Sequence, residues 1–222
     1  MAPNSPKFRA HVLIAVLSSG ILSAAQAAPP TVDASRLYAP CAVCHQLNAW
    51  GSSDGTIPNL AGQRRHYLEK QLALFRSGAR VDTAMQVVAI HPTISNQGNE
   101  IAVLATYLSR IDANPNPVVG SGDHRQVGLE LYTHICASCH GADGRGEQDN
   151  SVPRLAGQHY PYLRRQIESA ADLHKDLAPP EMSSALRAMP SSEKDALADY
   201  ISRLGTSEAL LDSNSRGVPD KY

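Results

Sequence analysis

The chain of 222 residues resembles itself at a spacing of 95 positions. A Cys-x-x-Cys-His motif at 41–45 recurs at 136–140, and a Pro-x-Leu-Ala-Gly-Gln segment at 58–63 recurs at 153–158. So many identities in one register indicate a duplicated domain rather than the short unit of a solenoid. Each copy spans about 85 residues, a size at which burial alone is marginally stabilising and a covalent or metal staple is often needed.

Helical periodicity is the readable pattern in the first copy. Over 64–77, Leu68, Leu72 and Phe75 recur at helical spacing, and Gly78 is suited to end that helix. A second apolar stripe covers 99–111.

The last helix of the second copy is predicted from a similar stripe that ends at Gly205. Ser192 with Asp195 resembles a capping box at its start. Alternating β patterns are absent from both copies. The sequence therefore predicts an all-α fold with two tandem domains.

The first 27 residues have the pattern of a secretory signal peptide. Lys7 and Arg9 form a basic region, 12–22 is mostly apolar, and Ala-Gln-Ala at 25–27 fits a cleavage site. A short uncleaved anchor is the alternative, but the apolar run is too short to span a membrane. We therefore expect the protein in the periplasm, where free Cys pairs form disulfides unless another reaction consumes the thiols.

Charge and composition exclude other classes. The 20 Lys and Arg nearly balance the 21 Asp and Glu, which argues against nucleic acid as a partner. No stretch supplies the roughly 18 apolar residues of a transmembrane span in the mature chain.

The segment 112–125 carries two Pro and two Gly and is predicted to be a linker. The predicted organisation is a signal peptide at 1–27, a first domain at 28–113, a linker at 114–122, a second domain at 123–205 and a tail at 206–222.

Both Cys-x-x-Cys-His motifs match the attachment sequence of c-type haem. Two thiols on one helical turn can bond the two vinyl groups of a porphyrin, which brings the following His to the iron. A redox dithiol and a zinc site made from the two Cys pairs are the alternatives, and zinc leaves both His unexplained. The predicted cofactors are two covalently attached haem c groups, with attachment and iron-binding residues Cys41, Cys44, His45, Cys136, Cys139 and His140.

The sixth iron ligand is predicted to be Met85 in the first copy and Met182 in the second. Both come some 40 residues after the motif His and shortly before the last helix of their copy. A thioether opposite His stabilises reduced iron and raises the redox potential. Met189 is the competitor in the second copy, at a position that suits a core residue. Four other His, at 66, 91, 159 and 174, are possible axial ligands that would lower the potential, but none is duplicated at the repeat spacing. Surface or helix-cap roles are therefore predicted for His66, His91, His159 and His174, and also for His124 and His134.

Pro58 and Pro153 each lie 13 residues after the motif His. Each carbonyl is a candidate acceptor for the second ring nitrogen of that His, a bond that orients a metal-binding imidazole. The alternative is that both Pro simply end a loop before a helix.

These motifs resemble the dihaem class I cytochromes c of the cytochrome c4 type. The resemblance implies two cytochrome c folds related by approximate two-fold symmetry, each wrapped around a haem with His and Met ligands. It also implies that the Pro carbonyl accepts a bond from the axial His. The two copies differ at positions that lie near the haem edge and propionates in that family, which are Phe75, Arg76, Gly78 and Arg80 in the first and Ala170, Ala171, Leu173 and Lys175 in the second.

The function expected from this resemblance is a periplasmic electron carrier of a respiratory chain, not an enzyme. Its partners would be redox proteins, such as a membrane-bound terminal oxidase, with peripheral membrane association left open. The first alternative is the cytochrome subunit of a dehydrogenase complex, for example a flavocytochrome c sulfide dehydrogenase. The second is an enzyme with an open iron site, but no acid/base constellation flanks either motif.

Overall fold

The computed structural model describes residues 33–94, 99–147, 152–171 and 178–206, all within one compact unit of the chain. The predicted signal peptide and all but the first residue of the predicted tail lie outside these residues. Within them no β-strand is present, and the only strand-like feature is an isolated bridge between Glu147 and Val152. The all-α prediction is confirmed.

The two halves repeat one order of helices. The first half contains α1 (Ala34–His45), α2 (Arg65–Ser77), α3 (Thr83–Ala89), a 3-10 turn (Pro92–Ile94) and α4 (Glu100–Ser109). The second half contains α5 (Arg125–Leu131), a π-helical turn (Tyr132–Cys136), α6 (Ala137–His140), α7 (Tyr160–Ala171), α8 (Pro180–Ala188) and α9 (Ser191–Arg203). The continuous helical segment 125–140 therefore corresponds to α1.

Each half has its own apolar core. In the first, the predicted stripe of α2 is buried against α4, and α1 joins it through Tyr38, whose ring centroid lies 5.9 Å from that of Tyr107. In the second, α7 and α9 pack together, and the Tyr132 and Tyr200 rings lie 5.4 Å apart. Gly128 permits close packing of α5 on α9, since a Cβ there would lie 2.1 Å from the Ala196 carbonyl oxygen.

The π-helical turn adds one residue to the first helix of the second half. Tyr38 lies three residues before Cys41, whereas Tyr132 lies four residues before Cys136. Despite this offset, the Tyr38 hydroxyl donates to the Gln46 carbonyl and the Tyr132 hydroxyl to the Gly141 carbonyl, both at 2.6 Å. Because an inserted residue is absorbed in one turn, the helix reaches the second motif in the same orientation.

The start of α9 differs from the prediction. Helix α9 begins at Ser191 after Pro190, and no side chain caps its N-terminus. Ser192 is thus inside the helix, and the predicted capping box is wrong. The Asp195 carboxylate instead accepts hydrogen bonds from α7, from the Tyr160 hydroxyl at 2.5 Å and from Arg164 Nε at 3.2 Å.

The segment predicted as a linker is bonded to the second half. Asp199 of α9 accepts the Gly122 N–H at 2.8 Å, and Arg203 donates to the Gly120 carbonyl at 2.6 Å. Asp199 and Arg203 form a buried ion pair with an N–O distance of 3.1 Å. The linker therefore follows a defined path along α9.

His159 differs from its predicted surface or cap role. It precedes α7, yet only 3% of its surface is exposed. Its Nδ1 accepts the Val118 N–H at 2.9 Å, and its Nε2 donates to the Trp50 carbonyl of the first half at 2.6 Å. His159 thus joins the linker to both halves. The other unduplicated His in the described residues are half-buried or exposed, and His174 lies outside them.

Candidate functional site

Each Cys-x-x-Cys-His motif occupies the C-terminal end of a helix. In α1, Cys41 is buried and Cys44 is exposed, three positions apart on one face. In the second half Cys136 is half-buried and Cys139 exposed. None of the four forms a disulfide, and burial raises the pKa of the Cys41 and Cys136 thiols to about 11. The thiols of each pair are therefore available for bonding to a group beside the helix end.

The motif histidines are each held in one orientation by a backbone carbonyl. His45 Nδ1 lies 2.9 Å from the Pro58 carbonyl oxygen, and His140 Nδ1 lies 3.2 Å from that of Pro153. A carbonyl only accepts, so each Nδ1 carries the proton and each Nε2 has its lone pair free. Burial lowers the pKa of both His, which keeps the rings neutral. The hydrogen bonds predicted for the two Pro carbonyls are present.

Two glycines that the sequence reasoning missed bring these carbonyls within reach. Gly51 and Gly146 are 95 residues apart, and both have positive φ, +83° and +66°. A Cβ on Gly51 would lie 2.2 Å from the Ile57 carbonyl oxygen, and one on Gly146 would lie 2.4 Å from that of Pro153. Their N–H groups donate to the His45 and His140 carbonyls. The repeat spacing was the signal that could have identified them.

The two predicted Met ligands lie at equivalent places. Met85 is the third residue of α3 and Met182 the third residue of α8, and both are half-buried. Met189, the competitor, is only 7% exposed and belongs to the core of the second half. Met189 thus packs in this core, and ligation by Met85 and Met182 rather than by Met189 stays a prediction.

The chemistry of these donors fits haem. Each half offers two thiols on one helical turn, an adjacent imidazole with a free Nε2, and a half-buried thioether, which are ligand types of c-type haem iron. A bare metal ion would need several of these groups together. Among the residues that the structure describes, no three His, Cys, Asp or Glu side chains converge in that way. The convergence required by the zinc alternative is thus not present there.

Arg80 forms hydrogen bonds with side chains of both halves. Its guanidinium donates to Gln71 Oε1 at 2.6 Å and, across the boundary, to Gln166 Oε1 at 2.7 Å and the Tyr162 hydroxyl at 3.2 Å. Gln71 and Gln166 are 95 residues apart, so one Arg binds the same side chain in both copies. Within the described part of the chain, no carboxylate lies within ion-pair distance of Arg80.

Comparison with known proteins places these features in a family. A family model for cytochrome c matches residues 126–205. The chain is 33% identical over 178 residues to the thiosulfate dehydrogenase electron acceptor of Stutzerimonas stutzeri (strain A1501), covering 76% of this chain and 80% of that protein. It is 30% identical over 167 residues to cytochrome c4 of Azotobacter vinelandii, covering 68% and 77%.

The fold also resembles a solved structure. The crystal structure of reduced recombinant cytochrome c4 from Pseudomonas stutzeri superposes with a TM-score of 0.66 at 21% identity, and the match covers 77% of this chain and 96% of that one. Both halves of the chain therefore have a known counterpart in fold.

Proposed function

Because the chain belongs to the dihaem cytochromes c of the cytochrome c4 type, we propose that it shuttles single electrons between a dehydrogenase and a terminal oxidase in the periplasm. The chain is an electron-transfer protein rather than an enzyme, and covalently attached haem c is its cofactor. Two haems fit the tandem motifs. The proposal concerns the identity of the electron donor, the identity of the acceptor and the cellular compartment.

The observation that carries this function is the pair of neutral, buried His with free Nε2 atoms beside free thiols, once in each half. When bound, haem iron exchanges one electron between its ferrous and ferric states. The chain's part would be to hold and orient that group through the Cys pairs and the two motif His, with Met85 and Met182 as further ligands of the iron. Thioether ligation would favour the reduced state and suit a carrier that feeds an oxidase.

A candidate docking surface lies beside the first motif. The Val43 side chain, between the two Cys, is 85% exposed, and Leu47, just after the motif, is 86% exposed. The matching positions in the second half are Ser138 and Ala142. We assign this apolar surface to a redox protein that exchanges electrons with the first half through apolar contact, since the near-neutral chain provides little electrostatic steering.

A second candidate function is that of a dedicated acceptor bound to a dehydrogenase. It is favoured by the 33% identity to a protein named as a thiosulfate dehydrogenase electron acceptor. A flavocytochrome c sulfide dehydrogenase is another complex in which such a subunit would serve. A stable complex would co-purify with its dehydrogenase, whereas a free carrier would be isolated alone.

The leader pattern in the sequence supports the periplasm as the proposed compartment. No helix in the described ranges is long and apolar enough to cross the bilayer. We propose cleavage before residue 28, which N-terminal sequencing of the exported protein tests directly.

The central test is a spectroelectrochemical titration with haem quantitation, followed by stopped-flow mixing with the proposed partners. Two covalent haems per chain, low-spin in both redox states, are expected, with reduction by a thiosulfate dehydrogenase and oxidation by terminal oxidase membranes. One haem per chain, or a high-spin fraction that binds small ligands, would contradict the carrier function for at least one half.

A further inference from the structure

Two glutamine side chains bind the backbone of the opposite half in a reciprocal way. Gln63 Nε2 donates to the Arg154 carbonyl at 2.8 Å, and Gln63 Oε1 accepts the Arg154 N–H at 2.7 Å. Gln158 Nε2 donates to the Asn59 carbonyl at 2.9 Å, and Gln158 Oε1 accepts the Asn59 N–H at 2.9 Å. Both glutamines are buried, so water does not compete for these bonds.

The orientation of each amide is set by a second backbone donor. Gln63 Oε1 also accepts the Arg64 N–H at 2.8 Å, and Gln158 Oε1 also accepts the His159 N–H at 3.0 Å. A flipped amide would point its NH₂ group at two N–H donors in each case. The oxygen must therefore face the backbone N–H of the opposite half.

The bonded N–H groups belong to the peptide units that orient the motif histidines. The Pro58–Asn59 peptide accepts the His45 Nδ1 proton through its C=O, while its N–H donates to Gln158. The Pro153–Arg154 peptide is held in the same way between His140 and Gln63. Each of these peptides is thus bonded at one end by its own half and at the other end by its partner half.

A hydrogen bond at one end of a peptide strengthens the other end. Resonance links the N–H and C=O of a peptide unit, and successive hydrogen bonds polarise one another in a low-dielectric interior. An acceptor on the N–H makes the Pro carbonyl a stronger acceptor for the imidazole Nδ1–H. A stronger bond there makes the ring more electron-donating, which favours ferric iron and lowers the potential.

We propose that Gln63 and Gln158 are positioning residues that tune the redox potential of the haem in the opposite half. Gln158 acts on the His45 site through the Pro58–Asn59 peptide, and Gln63 acts on the His140 site through the Pro153–Arg154 peptide. This inference rests on the axial ligation by His45 and His140 proposed above, and the assignment of each measured potential to a half rests on the proposed ligation by Met85.

The test replaces each amide by an apolar side chain of similar length in the dihaem protein. Gln158→Met should raise the potential of the first-half haem and leave the second unchanged, and Gln63→Met should do the reverse. The two potentials are measured by spectroelectrochemistry. A Met85→His reference variant, which lowers the first-half potential, assigns each value to its half.

The matched control removes a hydrogen bond between the halves that does not involve either Pro peptide. Arg165 Nη2 donates to the Thr56 carbonyl at 2.9 Å, and Arg165→Met should leave both potentials unchanged. A rise of similar size in this control would overturn the proposal, as would unchanged potentials in both Gln→Met variants. A shift in the substituted half alone would also overturn it.

Gln158→Glu decides the question if the Met variants do not assemble with two haems. The carboxyl group keeps an acceptor for the Asn59 N–H, so the first-half potential should stay at or below that of the parent protein. A rise would contradict the proposal. Loss of two low-spin haems in the parent protein would instead contradict the ligation, so the two failures are distinguishable.

Discussion

Tyr38 and Tyr132 occupy the same structural position although 94 residues, not 95, separate them. Each hydroxyl donates, at 2.6 Å, to the carbonyl of the residue after the motif His, and each ring contacts a Tyr of the last helix of its half. The π-helical turn absorbs the offset. The two tyrosines thus stabilise the C-terminal end of the motif helix in both halves.

Replacing either Tyr by Phe should weaken its half by a similar amount. Each substitution removes one hydrogen bond and keeps the ring, so we expect a loss of about 1 kcal/mol in the free energy of unfolding. Chemical denaturation of Tyr38→Phe and Tyr132→Phe checks this. A large cost for one variant and none for the other would show that the positions are not equivalent.

The Gly51 and Gly146 positions should not tolerate a side chain. Gly51→Ala combines a positive φ with a 2.2 Å approach to the Ile57 carbonyl, and relief of that clash must move the loop that carries Pro58. We expect a loss of about 3 kcal/mol, in the range of backbone strain plus overpacking. Thermal unfolding of the haem protein is the measurement.

Gly78→Ala is the control for this prediction. Gly78 has a similar φ of +77°, but the nearest atom to an added Cβ is the end of the Gln86 side chain at 3.6 Å. Only the left-handed backbone cost of about 1 kcal/mol remains there. Equal losses at the two positions would contradict the role assigned to the close approach.

Substitution of Met182 and of Met189 should have different effects, because only Met182 is proposed to bind the iron. Met182→Leu should remove the sixth ligand of the second half, convert that haem to high-spin and lower its potential, since the thioether favours ferrous iron. Absorption spectroscopy and titration measure both effects. Met189→Leu, a volume-conserving change in a buried core position, should cost less than about 1.5 kcal/mol and leave the spectrum low-spin. The reverse pattern would assign ligation to Met189.

Breaking the buried ion pair of α9 should strongly destabilise the protein. Asp199→Ala removes the carboxylate that pairs with Arg203 at 3.1 Å and accepts the Gly122 N–H. Breaking a buried pair costs about 3–5 kcal/mol. The exposed pair of Asp143 and Arg145 provides the comparison, and Asp143→Ala should cost at most about 1 kcal/mol. Comparable losses in urea unfolding would contradict the burial argument.

Loss of one haem should unfold the half that holds it. A variant with Cys41→Ser and Cys44→Ser has no covalent attachment in the first half, and so small a domain is marginal without its cofactor. We expect one haem per chain and loss of amide-exchange protection mainly over 33–94 and 99–111. Val43→Ser, which copies the residue of the second motif, should keep both haems. Full protection in the double variant would show that the polypeptide folds without haem.

Several features were predictable from the sequence because they depend on residue type at fixed spacing. The motifs, the α2 stripe ending at Gly78 and the His–Pro pairing are of this kind, and the cytochrome c4-type fold and haem cofactor are confirmed. Other features depend on packing between segments far apart in the chain. Asp195 bonds α7 rather than capping its own helix, and His159 is buried because the linker and Trp50 cover it.

The equivalence of Tyr38 and Tyr132 could not be predicted from the repeat spacing, because the two copies differ in length by one residue before the motif. A fixed comparison at 95 positions aligns Tyr132 with Leu37, and only the π-helical turn reveals its counterpart. Because the segment with the extra residue stays helical, a comparison at one fixed spacing does not align the two tyrosines.

The reciprocal glutamine contacts also bear on how a two-haem chain can arise from a one-haem ancestor. Gln63 and Gln158 recognise backbone groups, so the residues they bind are free to differ, and they are Asn59 in one half and Arg154 in the other. A single half contains both the glutamine and the backbone that its counterpart binds. Two identical copies could therefore pair through the same contacts as a symmetric homodimer, and gene fusion would need only a tether. The fused protein would keep these contacts between its halves. Because they involve backbone groups, side chains in either half could change without loss of the interface.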